Sequence, residues 1–281
     1  MKIIECPRDA MQGLKEFVPT ALKARYINQL LKVGFDTIDF GSFVSPKAIP
    51  QLRDTAEVLS LLELENTQSK LLAIVANTRG AADAEKFEEI DYLGFPLSLS
   101  ETFQQKNTNR SIADAFVTLQ EIQDICKRSN KTLVTYLSMG FGNPYGDPYE
   151  SDYVLEFVEK LLAMEVSVIS LADTVGVSTP YNITAIFQTL IGNFEGVEFG
   201  AHLHSNPKDA HGKIKAAYEA GCRRFDGAVN GFGGCPMADD VLVGNIATET
   251  IVAYASDSIP DFAIDQQAFS NAMVVAGEVF G

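Results

Sequence analysis

The clearest chemical feature of the sequence is a pair of histidines, His202 and His204, separated by one residue. On a β-strand, residues two apart face the same side, so both imidazoles would point in one direction. Two neutral imidazoles with a nearby carboxylate form a site for a divalent metal ion. Asp9, at the end of the first strand-like run, is the candidate carboxylate. The spacing alone fits equally well two partly buried histidines that bond to the backbone.

Arg8 lies beside Asp9 and could supply positive charge to a substrate. On an extended segment adjacent side chains point apart, so we expect separate roles for these two residues. Asp9 would serve the metal, and Arg8 would meet the charge on a carbonyl or enolate oxygen. The alternative is a structural ion pair. Gln12 either anchors this segment or lies in solvent.

Cys235 lies in the segment GFGGCP (231–236), which contains three glycines. Such a loop is long enough to move as a lid. It could deliver a thiol as an acid, base or nucleophile, although an incidental loop cysteine fits the pattern too. Core packing is instead expected for Cys6, Cys126 and Cys222.

The elements that would position these residues alternate between short apolar runs and amphipathic stretches. The predicted strands are Lys2–Cys6, Phe35–Phe40, Leu71–Ala76, Ile90–Phe95, Thr132–Ser138, Ser167–Leu171, Val197–His202 and Arg224–Ala228. The predicted helices include Thr20–Leu31, Ser111–Arg128, Glu150–Met164, Ile183–Ile191, Lys208–Ala220 and Asp239–Ala255. This alternation is typical of the α/β class and predicts a (β/α)8 TIM barrel. An open doubly wound sheet is the alternative, but no glycine-rich dinucleotide motif follows the first strand.

In a TIM barrel the active site lies at the carboxyl ends of the strands, so polar residues that follow strands are candidates. Besides Arg8, Asp9 and the histidines, they are Asp39, Ser42, Ser100, Glu101, Asp173 and Thr174. Asp173 and Thr174 could instead cap a helical turn. Asn245 could also be a cap or turn residue, or could lend its amide oxygen to a metal.

Composition excludes several classes of function. The formal net charge of −15 argues against nucleic-acid or anionic-membrane partners, and no apolar run approaches the ~20 residues of a membrane helix. The first residues lack a signal-peptide pattern, and the four cysteines show no CxxC spacing, which favours a reducing cytoplasm. No linker divides the chain, so we expect one domain over residues 1–281, with a lid loop around 230–240.

Six segments together resemble the 3-hydroxy-3-methylglutaryl-CoA (HMG-CoA) lyase family. They are PRDAMQGLK (7–15), SFVSPKAIPQ (42–51), SETFQQKNTNRS (100–111), SLADTVGVSTP (170–180), HLH (202–204) and GFGGCPMADDVLVGNIATE (231–249). The phrases SFVSPK and GGCP are lyase-like, whereas Arg-Asp and His-x-His occur in a wider group of metal-dependent barrels that includes Claisen-type synthases.

The resemblance implies cleavage of a 3-hydroxyacyl-CoA, with HMG-CoA giving acetyl-CoA and acetoacetate. It implies Mg2+ or Mn2+ as cofactor, an acyl-CoA as partner, and a homodimer as the common arrangement. The implied metal ligands are Asp9, His202, His204 and Asn245. The implied catalytic residues are Arg8 for the enolate, Asp9 as a candidate base and Cys235 for proton transfer, with Asp39 and Asp173 as further candidates. The substrate-binding candidates are Gln12, Ser42, Thr174 and, in a matched loop after the fourth strand, Lys106 and Asn107.

Three residues depart from the family pattern close to these ligands. Ala10 stands in place of Gly, Asp39 in place of Glu, and Ser205 in place of Asp. They suggest an altered acyl substrate or weaker activity more than a different reaction. The alternatives are a condensing enzyme that joins acetyl-CoA to a 2-keto acid, and a non-catalytic barrel that binds metal or CoA.

Overall fold

The computed structural model describes residues 1–234 and 243–281. Within these residues eight parallel strands close into a barrel, in which β8 pairs with β1. The strands are β1 (Lys2–Glu5), β2 (Thr37–Ser42), β3 (Lys70–Ile74), β4 (Tyr92–Ser98), β5 (Thr132–Ser138), β6 (Val168–Asp173), β7 (Glu198–Leu203) and β8 (Arg224–Gly227). The closed barrel confirms the predicted TIM-barrel fold and contradicts the open doubly wound sheet.

The strands consist of residues that suit a sheet covered on both faces. β2 and β6 are buried at every position, because in a parallel barrel helices cover the outer face and side chains fill the interior. One small apolar cluster comes from alternating positions of neighbouring strands: Leu72, Tyr92, Val134, Tyr136 and Val168. A much larger core joins the strands to the helices. The polar residues at the carboxyl ends of the strands therefore stand on a well-packed base.

The helices follow the strands along the chain. They are α1 (Pro7–Gln12), α2 (Thr20–Leu30), α3 (Thr55–Leu59), α4 (Thr78–Ala84), α5 (Glu101–Thr108), α6 (Ile112–Arg128), α7 (Ser151–Ala163), α8 (Pro180–Asn193), α9 (Pro207–Glu219), α10 (Thr248–Ser258) and α11 (Gln266–Phe280). Gly34 and Gly221 have φ values of 92° and 104° at the predicted helix–strand joints, a conformation that glycine adopts without strain.

The segment that carries Arg8 and Asp9 is helical, so the expectation of an extended segment was wrong. Pro7 occupies the first helical position of α1, where its missing N–H and fixed φ are no disadvantage. Met11 packs in the core with no exposed surface. The short helix directly follows β1 and therefore holds Arg8 and Asp9 at the mouth of the barrel.

The predicted helix Asp239–Ala255 was also partly wrong. Helix α10 starts at Thr248, and residues 243–247 before it are not helical. Residues 239–242 of the predicted helix lie outside the described residues. Asn245 forms a bridge with His204, and Ala247 forms one with Ala228. Backbone pairing with the ends of β7 and β8 thus decides the conformation here, over any helical tendency of the local sequence.

The segment after β4 was expected to be a loop, but it forms helix α5. The Ser100 hydroxyl accepts a hydrogen bond from the Phe103 N–H and caps the helix start. Asn109 ends the helix with a φ of 54°, in the left-handed region that asparagine tolerates. Lys106 and Asn107 therefore lie on a helix.

Two further observations concern the rest of the described chain. No helix in the two described ranges has both the length and the apolar character needed to cross a bilayer. Cys6, Cys126 and Cys222 are buried and form no disulfide, in keeping with the expected core packing.

Candidate active site

Asp9, His202 and His204 come together at the mouth of the barrel. One potential ligand atom from each of the three lies within 4.8 Å of the others. The two imidazole ring centroids are 5.3 Å apart. The histidines therefore face the same side, as their spacing predicts, and Asp9 reaches them from the helix that follows β1.

Each histidine is oriented by a hydrogen bond to its Nδ1. His204 Nδ1 lies 3.1 Å from the carbonyl oxygen of Thr174, and His202 Nδ1 lies 3.1 Å from Asp226 Oδ2. Carbonyl and carboxylate oxygens accept hydrogen bonds, so in its neutral form each imidazole carries its proton on Nδ1 and presents the lone pair of Nε2. An acceptor behind the ring is the usual companion of a metal-binding histidine.

His204 Nε2 is the atom that most directly indicates a bound cation. It is buried, and it has no hydrogen-bond partner among the described residues. An unpaired nitrogen lone pair in the interior is costly unless a ligand satisfies it. The donor set of two imidazole nitrogens and a carboxylate oxygen suits a divalent metal.

The electrostatics favour the metal-binding forms of Asp9 and His204, whereas they shift His202 towards the protonated ring. Burial lowers the pKa of His204 to about 4, so this ring is neutral at physiological pH. Burial opposes the ionisation of Asp9, but Arg8 and the two histidines hold the pKa of this carboxyl below its usual value. Burial also favours neutral His202, but Asp226 and Asp9 outweigh it and raise its pKa.

Asn245 lies beside this group and contacts Asp9. Its Nδ2 donates to Asp9 Oδ2 at 2.6 Å and to the carbonyl of Phe232 at 2.9 Å. Since these bonds fix the orientation of the amide, its Oδ1 is the atom left for another partner. The side chain is 4% exposed. This placement is compatible with the amide-oxygen ligand predicted from the sequence.

Arg8 is buried among carboxylates, so the expected separation of Arg8 from Asp9 was wrong. Its Nη1 donates to Asp9 Oδ1 and to Gln12 Oε1, both at 3.0 Å. Its Nε and Nη2 reach the carboxylate of Asp39, with Nε 3.0 Å from Oδ2. Gln12 Nε2 also donates to Asp9 Oδ1 at 2.7 Å. Among the described residues, one Nη2 proton has no acceptor and is available to a substrate oxygen.

These observations identify Asp39 as the residue that holds Arg8. Burial raises the pKa of Asp39 to about 6, and Arg8 opposes that rise. Two nitrogens of one guanidinium on one carboxylate form a geometry that lysine could not reproduce. Asp39 therefore acts through Arg8 in this geometry.

The comparisons with known proteins give the family of the chain. A family model described as HMGL-like matches residues 2–274. The chain belongs to the HMGL-like family. A hydroxymethylglutaryl-CoA lyase of Bacillus subtilis (strain 168) is 33% identical over 246 residues, which cover 88% of this chain and 81% of that protein. A cytoplasmic 3-hydroxy-3-methylglutaryl-CoA lyase of Rattus norvegicus is 33% identical over 255 residues, 90% of this chain and 73% of the rat protein.

A solved structure shows the same likeness in three dimensions. An HMG-CoA lyase from Acinetobacter baumannii, in complex with coenzyme A and 3-methylmalate, matches with a TM-score of 0.91 at 31% identity. The match covers 99% of this chain and 90% of the other. The predicted family is thus confirmed, and the chain is a lyase of the HMGL-like family.

In this HMGL-like chain, Asp173 is enclosed by the protein. Oδ1 accepts from the Val177 N–H at 2.9 Å. Oδ2 accepts from the N–H and hydroxyl of Ser178 and from Lys213 Nζ, which lies at 3.0 Å. With its oxygens engaged in this way, Asp173 supports the turn after β6. It is not a cap of a helix.

Thr174, in the same turn, also has an internal role. Its carbonyl orients His204, and its hydroxyl accepts from the Met139 N–H at 3.0 Å. The predicted substrate contact of Thr174 would therefore compete with these bonds.

The remaining predicted substrate contacts lie on other elements. The Ser42 hydroxyl donates to the carbonyl of Ile74 at 3.1 Å and accepts from the Val44 N–H. Lys106 Nζ on α5 lies 4.6 Å from the centre of the Tyr145 ring. Lys106 and Asn107 stay candidates for contact with the distant part of a long substrate.

Cys235 lies outside the described residues, but the start of the predicted lid is described. Gly233 has a φ of 92°, and a Cβ there would come within 2.9 Å of the Asp9 carbonyl and 2.8 Å of Asn245 Nδ2. Only glycine allows the backbone to pass so close to the site. The glycine-rich segment therefore begins directly against two of the candidate metal ligands.

Sequence reasoning missed Asp226, which orients His202. Asp226 is 3% exposed and lies opposite His202 in the β7–β8 pairing. The available signal was a lone acidic residue near the carboxyl end of a buried strand. Because side chains alternate between the two faces of a strand, Arg224 and Asp226 lie on the same face of β8.

Glu5 and Lys213 were missed as well. Both are almost fully buried. Glu5 accepts from the Val229 N–H at 3.0 Å and from the Thr248 hydroxyl. Lys213 donates to Asp173 and to the carbonyl of His204, the latter at 2.9 Å. The available signal was the same for both residues. Each is a charged residue at a position of its strand or helix that is otherwise expected to be buried.

Proposed function

We propose that this lyase cleaves the carbon–carbon bond of HMG-CoA, giving acetyl-CoA and acetoacetate, with a divalent metal as cofactor. The observation that carries the proposal is the group of Asp9, His202 and the unpaired His204 Nε2, with Arg8 hydrogen-bonded to Asp9. Relatives with HMG-CoA lyase activity in their names, at about 33% identity over most of the chain, support the substrate.

The residues present fit the implied metal, because they offer the oxygen and nitrogen ligands that Mg2+ or Mn2+ accepts. Asp9, His202, His204 and Asn245 would hold it. When bound, such an ion supplies Lewis-acid chemistry that makes a substrate hydroxyl easier to deprotonate.

The chain's own residues would then carry the proton and charge transfers. Asp9 takes the proton of the C3 hydroxyl, and the electron pair of that O–H bond forms the keto group of acetoacetate as the C2–C3 bond breaks. The electrons of the broken bond pass to the thioester, whose enolate oxygen meets the remaining Nη2 proton of Arg8. Because its pKa is lowered, Asp9 is a weak base, so this step depends on the acidified hydroxyl.

Cys235 is the proposed acid that completes acetyl-CoA. Its S–H proton would pass to C2 of the enolate, and solvent would later restore the thiol and take the proton from Asp9. The loop that carries Cys235 would exclude water while the enolate exists. The described start of that loop, at Gly233, lies against Asp9 and Asn245.

The remaining parts of the proposal concern the surroundings of the enzyme. We propose Lys106 and Asn107 as contacts for CoA, a homodimer as the assembly, and a reducing cytoplasm as the compartment. The lyase crystallised with coenzyme A supports an acyl-CoA ligand. The free thiols of the described cysteines suit a reducing compartment.

Incubation of the purified chain with HMG-CoA and Mg2+ or Mn2+ tests the function, with release of both acetyl-CoA and acetoacetate as the measurement. Asp9→Asn and Cys235→Ala are each expected to lower kcat by about 10²–10⁴-fold, the usual range for lost acid–base catalysis. Asp152→Asn, at an exposed position on α7, is the matched control.

Three results would contradict parts of the proposal. No turnover at any metal concentration would remove HMG-CoA as the substrate. Acetyl-CoA consumption with a 2-keto acid, without HMG-CoA cleavage, would identify a condensing enzyme. Full activity of Cys235→Ala would remove the role of the thiol.

A further inference from the structure

We propose a second metal position beneath the first, formed by Cys6, His202 and Asp226, which selects thiophilic ions such as Zn2+ and Co2+. One potential ligand atom from each of these residues lies within 4.8 Å of the others. Sulfur, nitrogen and oxygen donors in one compact group are typical of zinc sites.

The three residues converge because the barrel closes through β1. Cys6 follows β1, and its N–H donates to the carbonyl of Gly227 at the end of β8. Asp226 stands one residue earlier on β8, opposite His202 on β7. Cys6 and Asp226 are 1% and 3% exposed, so the group lies inside the barrel.

Asp226 has an atom that is not used by the protein. Its Oδ2 holds His202, whereas its Oδ1 is buried without a hydrogen-bond partner among the described residues. Within residues 1–234 and 243–281, the Cys6 thiol makes one hydrogen bond, a long one of 3.6 Å to the carbonyl of Ile4. A buried carboxylate oxygen and a weakly bonded thiol beside one imidazole are both open to a ligand.

The charges around Cys6 favour a cation. Asp226 lies beside the thiol, and one cation, Arg8, is shared by the two carboxylates of Asp9 and Asp39. A dication in this group would deprotonate the coordinating thiol. Binding would therefore release the thiol proton to solvent.

The two positions compete because they share His202. Thiolate ligands select zinc and similar ions, whereas Mg2+ and Mn2+ prefer the oxygen-rich set around Asp9. An ion at Cys6 and Asp226 would bind the His202 nitrogen that faces Asp226, Nδ1. The proton of Nδ1 would move to Nε2, so the ring would no longer offer a lone pair to the upper site. Competition for His202 predicts that Zn2+ inhibits turnover, and this expectation rests on the proposed function. The expectation that Zn2+ binds at Cys6, His202 and Asp226 does not depend on it.

Co2+ is the probe for binding, because its bond to a thiolate produces a near-ultraviolet charge-transfer absorption. Co2+ is titrated into the full-length wild-type chain, in which the thiolate band reports the Cys6 position alone among the described ligand groups. We expect one equivalent to produce the band, Cys6→Ser to abolish it, and Cys126→Ser and Cys235→Ser to retain it. Asp226→Asn, which preserves volume, should also weaken Co2+ binding.

Affinity measurements separate a ligand role from a structural one. Cys6→Ser is expected to weaken Zn2+ binding by about tenfold or more, the scale of a lost metal-site contact. Its Mn2+ affinity should change far less, since Mn2+ does not use the thiol. Equal losses for both ions would indicate a structural defect and overturn the proposal.

Further outcomes keep the two proposals distinguishable. Loss of the band in Cys235→Ser but not in Cys6→Ser would place the thiolate on the lid and overturn the second site. Absence of the Co2+ band in a wild-type chain that cleaves HMG-CoA would also overturn the second site. A Cys6-dependent band in a chain without lyase activity would support the metal position while contradicting the proposed function.

Discussion

At the residue scale, the site depends on hydrogen bonds behind the residues that face the substrate. Asp226 and the Thr174 carbonyl each hold the Nδ1 of one histidine, and Asp39 holds Arg8. These supporting groups fix which atom each side chain presents. The chemistry of the proposed lyase is therefore decided as much by them as by the ligands.

Asp226→Asn tests the orientation of His202. The asparagine amide has no net negative charge to hold the Nδ1 proton, so Mn2+ affinity is expected to fall by about 10–100-fold. Isothermal titration calorimetry of the folded variant measures this directly. Asp152→Asn provides the control, and an Asp226 variant with unchanged Mn2+ affinity would contradict the role.

Asp39→Asn tests the placement of Arg8. Loss of the paired contacts lets the guanidinium shift, and a displacement on the order of 1 Å is expected to lower kcat by about 10²-fold. Steady-state kinetics would separate this from a change in KM. Asp39→Glu restores the charge and should recover part of the loss; an Asp39→Glu variant no better than Asp39→Asn would argue against this explanation.

At the element scale, Lys213 connects α9 to the ends of β6 and β7. Its ammonium group donates to Asp173 Oδ2 at 3.0 Å and to the His204 carbonyl at 2.9 Å, in surroundings closed to solvent. Asp173 in turn holds the turn whose Thr174 carbonyl orients His204. One buried ion pair thus links a helix, a turn and a candidate metal ligand.

Lys213→Met is expected to destabilise the fold by about 3–5 kcal/mol, because it leaves the Asp173 carboxylate buried without its partner. Urea unfolding measures the loss, and Mn2+ affinity should fall with it because His204 loses support. Lys215→Met removes an exposed lysine two residues away on the same helix and serves as control. Similar unfolding free energies for the two variants would disprove the importance of the pair.

At the scale of the whole molecule, closure of the barrel brings the first strand against the last helices. Glu5 on β1 accepts from Val229, after β8, and from Thr248, at the start of α10. Burial raises the pKa of Glu5 to about 8, above its ordinary 4.5. The closure point of the barrel therefore contains a carboxyl group that prefers to be protonated.

Glu5→Gln tests the resulting dependence of stability on pH. Because the pKa is raised on folding, the favourable effect of the wild-type group is complete below pH 4.5 and is lost as pH rises through about 8. The loss is about 1.4 kcal/mol per pH unit within that window. Glutamine resembles the protonated acid, so the variant should gain stability relative to wild type as pH rises.

Urea unfolding of both proteins across this window provides the measurement. Glu65→Gln, at an exposed position, is the control and should follow wild type. Parallel stability profiles for Glu5→Gln and wild type would show that Glu5 does not titrate between the folded and unfolded states.

Much of the architecture could be predicted from the sequence, since periodicity and turn residues are local signals. Each of the eight predicted strands overlaps an observed one, and Gly34 and Gly221 adopt the expected positive φ. The facing of His202 and His204 followed from strand alternation alone. Position after a strand made Asp9 a candidate and left Asn245 open, the family resemblance pointed to both as ligands, and the structure places Asn245 against Asp9 beside the histidines.

Only the tertiary structure decided the partners of these residues. The pairing of Arg8 with Asp39, of His202 with Asp226 and of Asp173 with Lys213 joins residues 24 to 40 positions apart. Such pairs depend on the register of neighbouring strands and on how a helix packs over them, and local sequence patterns contain neither. The sequence determined which groups reach the barrel mouth, and the closed barrel determined which atom of each group is left free to react.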